Sequence, residues 1–264
     1  MDLSRLEINA RVFGVPLRIA PSFWLLCVFL SPFMHPQSGE ERPWIFGAVG
    51  WLVAALLSFL IHEFGHALAA RALFNAKPAI ELGIGASKYG RGSLFGGLTT
   101  WRAEGASRSP GKLALVSFAG PGAALFAALA LVGVALLTGC RVAVAPYCGV
   151  VPVVLPLDWL AGIKSTSAAR LFVGYFVYGF VVMNFLWTAL NLLPIFPLDG
   201  GQIVMSLTSK LGFTKSVRLT LTISLASALA VAALFGIQRN WFSALIFFGA
   251  AVMNYRALQS LNDA

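Results

Sequence analysis

His62-Glu63-Phe64-Gly65-His66 places two imidazoles four residues apart with a carboxylate directly after the first. On a helix, residues i and i+4 share one face, so both rings can reach one metal ion. Neutral imidazoles bind Zn²⁺ at about 2.0–2.1 Å. In this spacing Glu63 is not a ligand but the general base for a water beside the metal. That chemistry is metal-assisted hydrolysis. The surroundings sharpen the reading, because the string sits in a run of Leu, Ala, Phe and Ile. Ionisable residues in a bilayer cost roughly 2.5–3.5 kcal/mol each on insertion scales, and three fall within five positions. Solvation at a surface does not account for such a cluster.

A catalytic zinc needs a third protein ligand and an open position. His35 is the one other histidine. It falls in the loop after the first apolar run, away from the motif. Asp199 fits better, in Asn191-Leu192-Leu193-Pro194-Ile195-Phe196-Pro197-Leu198-Asp199-Gly200-Gly201. Pro194 and Pro197 are expected to break the preceding helix, and Gly200 and Gly201 to permit a sharp turn after Asp199. Irregular backbone at membrane depth is tolerated only where protein or a watery cavity surrounds it. The plainer role for Asp199 is a carboxylate capping the next helix.

The elements that must carry these residues are membrane helices. Of the 264 residues 58% are hydrophobic and only 11% charged, against roughly a quarter charged in a soluble domain. Lipid is therefore part of the solvent. The net charge of +9 comes from Lys and Arg scattered between apolar runs rather than from a dense patch, which argues against nucleic-acid binding. The chain is expected to be an all-α polytopic membrane protein. Six spans are expected, at residues 19–34, 43–72, 112–137, 169–193, 217–237 and 241–258, forming one transmembrane domain over 1–264. The start has no long apolar core of its own, so the first run reads as a retained span rather than a cleaved signal.

Six spans put both termini on one side. With the termini inside, only Arg42, Arg141, Lys164, Arg170 and Arg239 fall outside, and the other fourteen of the 19 Lys and Arg residues fall inside. This bias predicts cytoplasmic termini and an integral protein of the cytoplasmic membrane. It also brings both motifs to the cytoplasmic ends of their spans. Cys140 and Cys148 then share an outer loop, where a disulfide or two thiols are both compatible with the sequence. Residues 79–101 are expected to form a small β-hairpin at the membrane surface, with a mobile loop as the alternative. An exposed strand edge there could pair with an extended peptide.

Together the two motifs resemble the site-2 protease family of intramembrane metalloproteases, whose pattern is His-Glu-x-x-His in one helix and Asn-x-x-Pro-x-x-Pro-x-Asp-Gly in a later one. Phe13-Gly14-Val15-Pro16-Leu17 and Pro21-Ser22-Phe23-Trp24 look like that family's approach to its first span. The likeness runs from about Val12 to Gly201 and is to the compact members without PDZ or CBS domains. It implies zinc held by His62, His66 and Asp199, with Glu63 as catalytic base. It also implies transmembrane protein substrates cleaved in regulated intramembrane proteolysis. Asn191 would lie near the substrate, although a helix–helix hydrogen bond would equally explain it. One departure stands out. Many members carry Gly-Pro-x-x-Asn in the third span, and here Gly120-Pro121-Gly122-Ala123-Ala124 ends in Ala124. Two other classes compete. A transporter could also place His, Glu and Asp in a bundle, but no paired repeats are evident. A catalytically inactive scaffold binding transmembrane partners would usually lose the base or a ligand, and this chain keeps all four.

Overall fold

The computed structural model describes residues 7–30, 44–84, 97–101, 109–147 and 151–262. Among them five helices are long and apolar enough to cross a membrane. They are α2 (Trp44–Phe74), α3 (Pro110–Leu137), α5 (Ala168–Asn191), α7 (Phe213–Ile237) and α8 (Trp241–Asn262). The chain divides into two compact units, Met1–Gly105 with Gly122–Trp187, and Ala106–Pro121 with Thr188–Ala264.

The first unit contains a four-stranded sheet of order β1-β2-β3-β4. Its strands are β1 (Ile8–Val12), β2 (Val15–Ile19), β3 (Ala79–Leu82) and β4 (Gly97–Thr100). β1 and β2 form a hairpin through Phe13 and Gly14, both at positive φ, the backbone that a tight two-residue hairpin requires. β2 pairs parallel with β3, and β3 pairs antiparallel with β4. Along β2, Val15, Leu17 and Ile19 are buried while Pro16 and Arg18 are less so, the period of two that a half-buried strand imposes. This strand pair was not anticipated from sequence, which assigned Ile19 to the first span.

The region expected as that span differs from expectation. Ile19 ends β2, and α1 covers only Pro21–Phe29, about 13 Å of helix against a hydrocarbon core of about 30 Å. Residues 31–43, including His35, lie outside the described residues. Five candidate crossings are thus described where six were expected.

The core of this unit gathers Val15, Leu17 and Ile19 of β2, Phe23 of α1, Trp51 and Phe59 of α2, Ile80 and Leu82 of β3 and Met183 of α5. The indole N–H of Trp51 donates to the carbonyl of Cys27 at 3.0 Å, which satisfies a polar atom within an apolar cluster. α2 and α5 approach closely through glycine. A Cβ at Gly50 would overlap the backbone of Phe172, and one at Gly179 would lie 2.9 Å from the Trp51 ring. Small residues let membrane helices meet backbone to backbone. A second hairpin, β5 (Val142–Tyr147) with β6 (Val151–Pro156), follows α3. At its base Asp158, in the short helix α4 (Leu157–Leu160), accepts from the guanidinium and the backbone N–H of Arg141. Both hydrogen bonds hold the Asp158 carboxyl below its ordinary range. Cys140 is buried beside this hairpin, and Cys148 lies outside the described residues.

The second unit contains α6 (Asp199–Thr208), α7 and α8 with the ends of α3 and α5. α7 turns into α8 through Arg239 at positive φ, and the Asn240 side chain accepts from the Ser243 N–H, an N-cap. Phe235 and Phe247 stack across the helix pair.

Candidate active site

His62, Glu63 and His66 lie on α2, and all three are buried. Their helix is otherwise apolar around its circumference, so these three polar groups must be satisfied by protein or by a bound group. The rings of His62 and His66 meet edge to face, and their Nε2 atoms lie 3.1 Å apart. Two imidazole nitrogens so placed either share one proton or turn both lone pairs onto one cation. Two ligands of a tetrahedral zinc, at about 2.0–2.1 Å each, sit about 3.3 Å apart. The spacing across this helical turn therefore fits a zinc ion.

Glu63 is held from β4. The Thr99 hydroxyl lies 2.6 Å from Glu63 Oε2 and 3.0 Å from the Glu63 carbonyl oxygen. Gly97, two residues earlier on the same face of β4, lies against Glu63 Oε1, and a Cβ there would force the carboxylate to move. β4 is itself fixed by its register with β3, Thr99 opposite Ile80 and Gly97 opposite Leu82. Trp101 stacks on Phe74 at the end of α2. Sequence reading recognised this stretch as a strand but did not single out Thr99 or Gly97. The signal available was their spacing of two, which puts both on one face.

One turn before His62, Ser58 is also buried. Asn184 of α5 donates to Ser58 Oγ at 2.8 Å and to its own helix at Phe180 O, at 2.7 Å. Ser58 in turn donates to Ala54 O. This network pins α5 to α2 beside the histidines. It too escaped sequence reading, since isolated Ser and Asn in apolar runs carry no motif.

In the second unit, Asn191 is the last residue of α5 and is buried. Residues 192–198 leave the helix as a tight loop. The Phe196 N–H donates to Ser224 Oγ at 2.9 Å, and its carbonyl accepts from Asn254 Nδ2 at 2.8 Å. α7 and α8 thus each grip one peptide group of this loop, at Phe196. Asp199 is the first residue of α6 and is buried, while Leu198 occupies the N-cap position without a side-chain bond. Asp199 is therefore not the N-cap of that helix. Gly200 and Gly201 do not form the sharp turn expected of them. Both are helical, and their missing Cβ atoms let α6 pack on the backbone of Leu193 and Phe196. Ala124, where many site-2 proteases carry Asn, is buried on α3. Upstream, Thr188 donates to the Pro121 carbonyl at 3.1 Å.

Residues 50–234, most of the chain and both motifs, match peptidase family M50. The chain belongs to that family. Among curated proteins, this M50 chain is 28% identical over 210 residues to a Synechocystis sp. protein named "Putative zinc metalloprotease sll0528". The match covers 75% of the chain and 44% of that relative's length. Among solved structures, the site-2 protease from Methanocaldococcus jannaschii matches with a TM-score of 0.54 at 18% identity, covering 96% of this chain and 95% of the other. The M50 chain therefore shares the site-2 protease fold, an assembly of membrane helices with small sheets, and is an integral membrane protein.

Proposed function

We propose that the chain is a zinc metalloendopeptidase that cleaves membrane-protein substrates within or near a transmembrane segment. The observation that carries the reading is the buried pair His62 and His66, Nε2 to Nε2 at 3.1 Å, with a buried carboxylate between them in sequence. The two imidazoles are two of the three protein ligands that a catalytic zinc takes, and Asp199 is assigned as the third. When bound, zinc supplies a Lewis acid that polarises the scissile carbonyl and lowers the pKa of water toward about 7.

The protein supplies the rest. Glu63 takes the proton of the attacking water and returns it to the leaving amine, so one carboxylate serves as base and then as acid. Asn191 contacts the substrate backbone near the scissile bond. A helical substrate hides its peptide bonds, so it must unwind before attack. β4 is the terminal strand of the sheet, and its backbone runs beside Glu63. An extended substrate strand added to β4 would reach the base with its backbone paired. Lys and Arg distribution supports cytoplasmic termini in the cell membrane, with hydrolysis near the cytoplasmic face and release of a cytosolic fragment in regulated proteolysis.

The test starts with metal. The purified protein in detergent should carry about one zinc per chain by elemental analysis, and a His62→Ala, His66→Ala double variant should carry none. Wild type should then cleave a single-span reporter reconstituted in vesicles, and Glu63→Gln should keep its zinc but lose cleavage. A folded wild type that takes up no zinc when supplied with it overturns the proposal.

A further inference from the structure

The Glu63 carboxylate has both oxygens addressed by one strand. Oε2 accepts from Thr99 at 2.6 Å, within the range of a charge-assisted O–H···O⁻ bond. Thr99 has one hydroxyl hydrogen and two acceptors within reach, Oε2 and the Glu63 carbonyl. The shorter contact goes to the carboxylate. Oε1 lies against Gly97, where any Cβ would collide with it. A β-branched side chain is stiff at χ1, so Thr99 is a fixed donor on a strand that is itself fixed by β3. A long glutamate side chain on a helix otherwise has several rotamers open to it.

We propose that Thr99 and Gly97 are positioning residues for the general base. The Thr99 hydroxyl ties down one carboxylate oxygen, and the bare backbone at Gly97 leaves room for the other. Glu63 is thereby held in one orientation before substrate arrives. The inference rests on the assignment of Glu63 as base and deepens it. The strand proposed to receive substrate is also the strand that aims the base, so docking and proton transfer share one element. Small misplacements of a reacting group cost about 100-fold in rate, which is the scale of effect expected here.

The experiment compares wild type, Thr99→Val, Thr99→Ser and Gly97→Ala in phosphatidylcholine vesicles. The probe is a Leu/Ala single-span reporter carrying an Asn-Pro helix break. Zinc content and thermal melting in detergent are measured for each. Thr99→Val, which keeps the shape and loses the donor, should lower kcat by about 10- to 100-fold, with KM and zinc content unchanged. Thr99→Ser should restore most of that loss. Gly97→Ala should match Thr99→Val. An infrared readout independent of turnover accompanies the kinetics. The carboxylate band that disappears in Glu63→Gln should shift in Thr99→Val and stay in place in Thr99→Ser. Wild-type kcat in Thr99→Val, or a Thr99→Ser variant as impaired as Thr99→Val, overturns the positioning role and leaves the protease reading standing. A zinc-loaded wild type that cleaves nothing overturns the protease reading and the positioning role with it.

Discussion

Asn184 and Ser58, 126 residues apart in the chain, are joined by a 2.8 Å hydrogen bond inside the apolar bundle. Both side chains are buried, and Ser58 lies one helical turn before His62. The bond therefore sets the contact between α5 and α2 close to the histidine face. Ser58→Ala should leave one Asn184 N–H without its acceptor. The expected loss is about 0.6 kcal/mol, and at most about 1.7, from interhelical hydrogen bonds measured in membrane proteins. It is read as a lower melting temperature in detergent. Adding Asn184→Leu should cost less than the sum of the two single variants, because the orphaned donor is gone. Strictly additive losses would mean that the two side chains do not interact.

The glycine at position 50 is a packing requirement. With the Phe172 backbone against it, a side chain cannot enter without separating α2 from α5. Gly50→Val should destabilise the protein by about 1–3 kcal/mol, the usual cost of overpacking. Gly133, whose Cβ would meet nothing within 4 Å, provides the control, and Gly133→Ala should melt like wild type. Equal melting of Gly50→Val and wild type would show that the helices do not meet as described.

Single ligand variants should rank by what they leave behind. His62→Ala or His66→Ala removes one imidazole of the 3.1 Å pair, and each should reduce zinc to well below one per chain. Asp199→Ala should do the same if the carboxylate is the third ligand. Asp199→Asn keeps the shape and one oxygen but loses the charge, so it should bind zinc more weakly than wild type. Competition against a chelator measures each affinity. Wild-type affinity in Asp199→Ala would remove Asp199 from the ligand set.

The loop leading to Asp199 depends on two side chains from later helices. Ser224→Ala removes the acceptor for the Phe196 N–H, and Asn254→Leu removes the donor to the Phe196 carbonyl. An unsatisfied buried backbone group costs about 1–3 kcal/mol. Each variant should melt earlier. Each should also bind zinc more weakly, in the chelator competition, because Asp199 follows three residues after the loosened peptide. Lower stability with unchanged zinc affinity would separate the clamp from the site.

Much of this was legible in the linear chain, for physical reasons. Apolar runs long enough to cross a bilayer are written directly in composition, and α2, α3, α5, α7 and α8 fall where the runs fall. The His62 and His66 pair could be read because an i, i+4 spacing becomes a shared face in any helix. The strands of residues 79–101 showed through their turn residues. β1 and β2 did not, because Ile19 was counted with the apolar residues of the first run, and Val15 and Leu17 were read only as the approach to it. β2 is paired on both sides, by β1 in the hairpin and by β3, which lies over sixty residues away.

The sequence by itself therefore determined the solvent, the five long helices and the shared face of His62 and His66, since all of these follow from local periodicity and from the cost of burying charge. The tertiary structure alone decided which groups attend them. Thr99 on Glu63, Asn184 on Ser58, and Ser224 with Asn254 on Phe196 are contacts between distant segments. No spacing along the chain encodes them, and they exist only once helices and strands have packed. The same holds for Gly97 and Gly200. In the sequence they are small residues near turns. In the folded chain they are the places where another group occupies the volume a side chain would need.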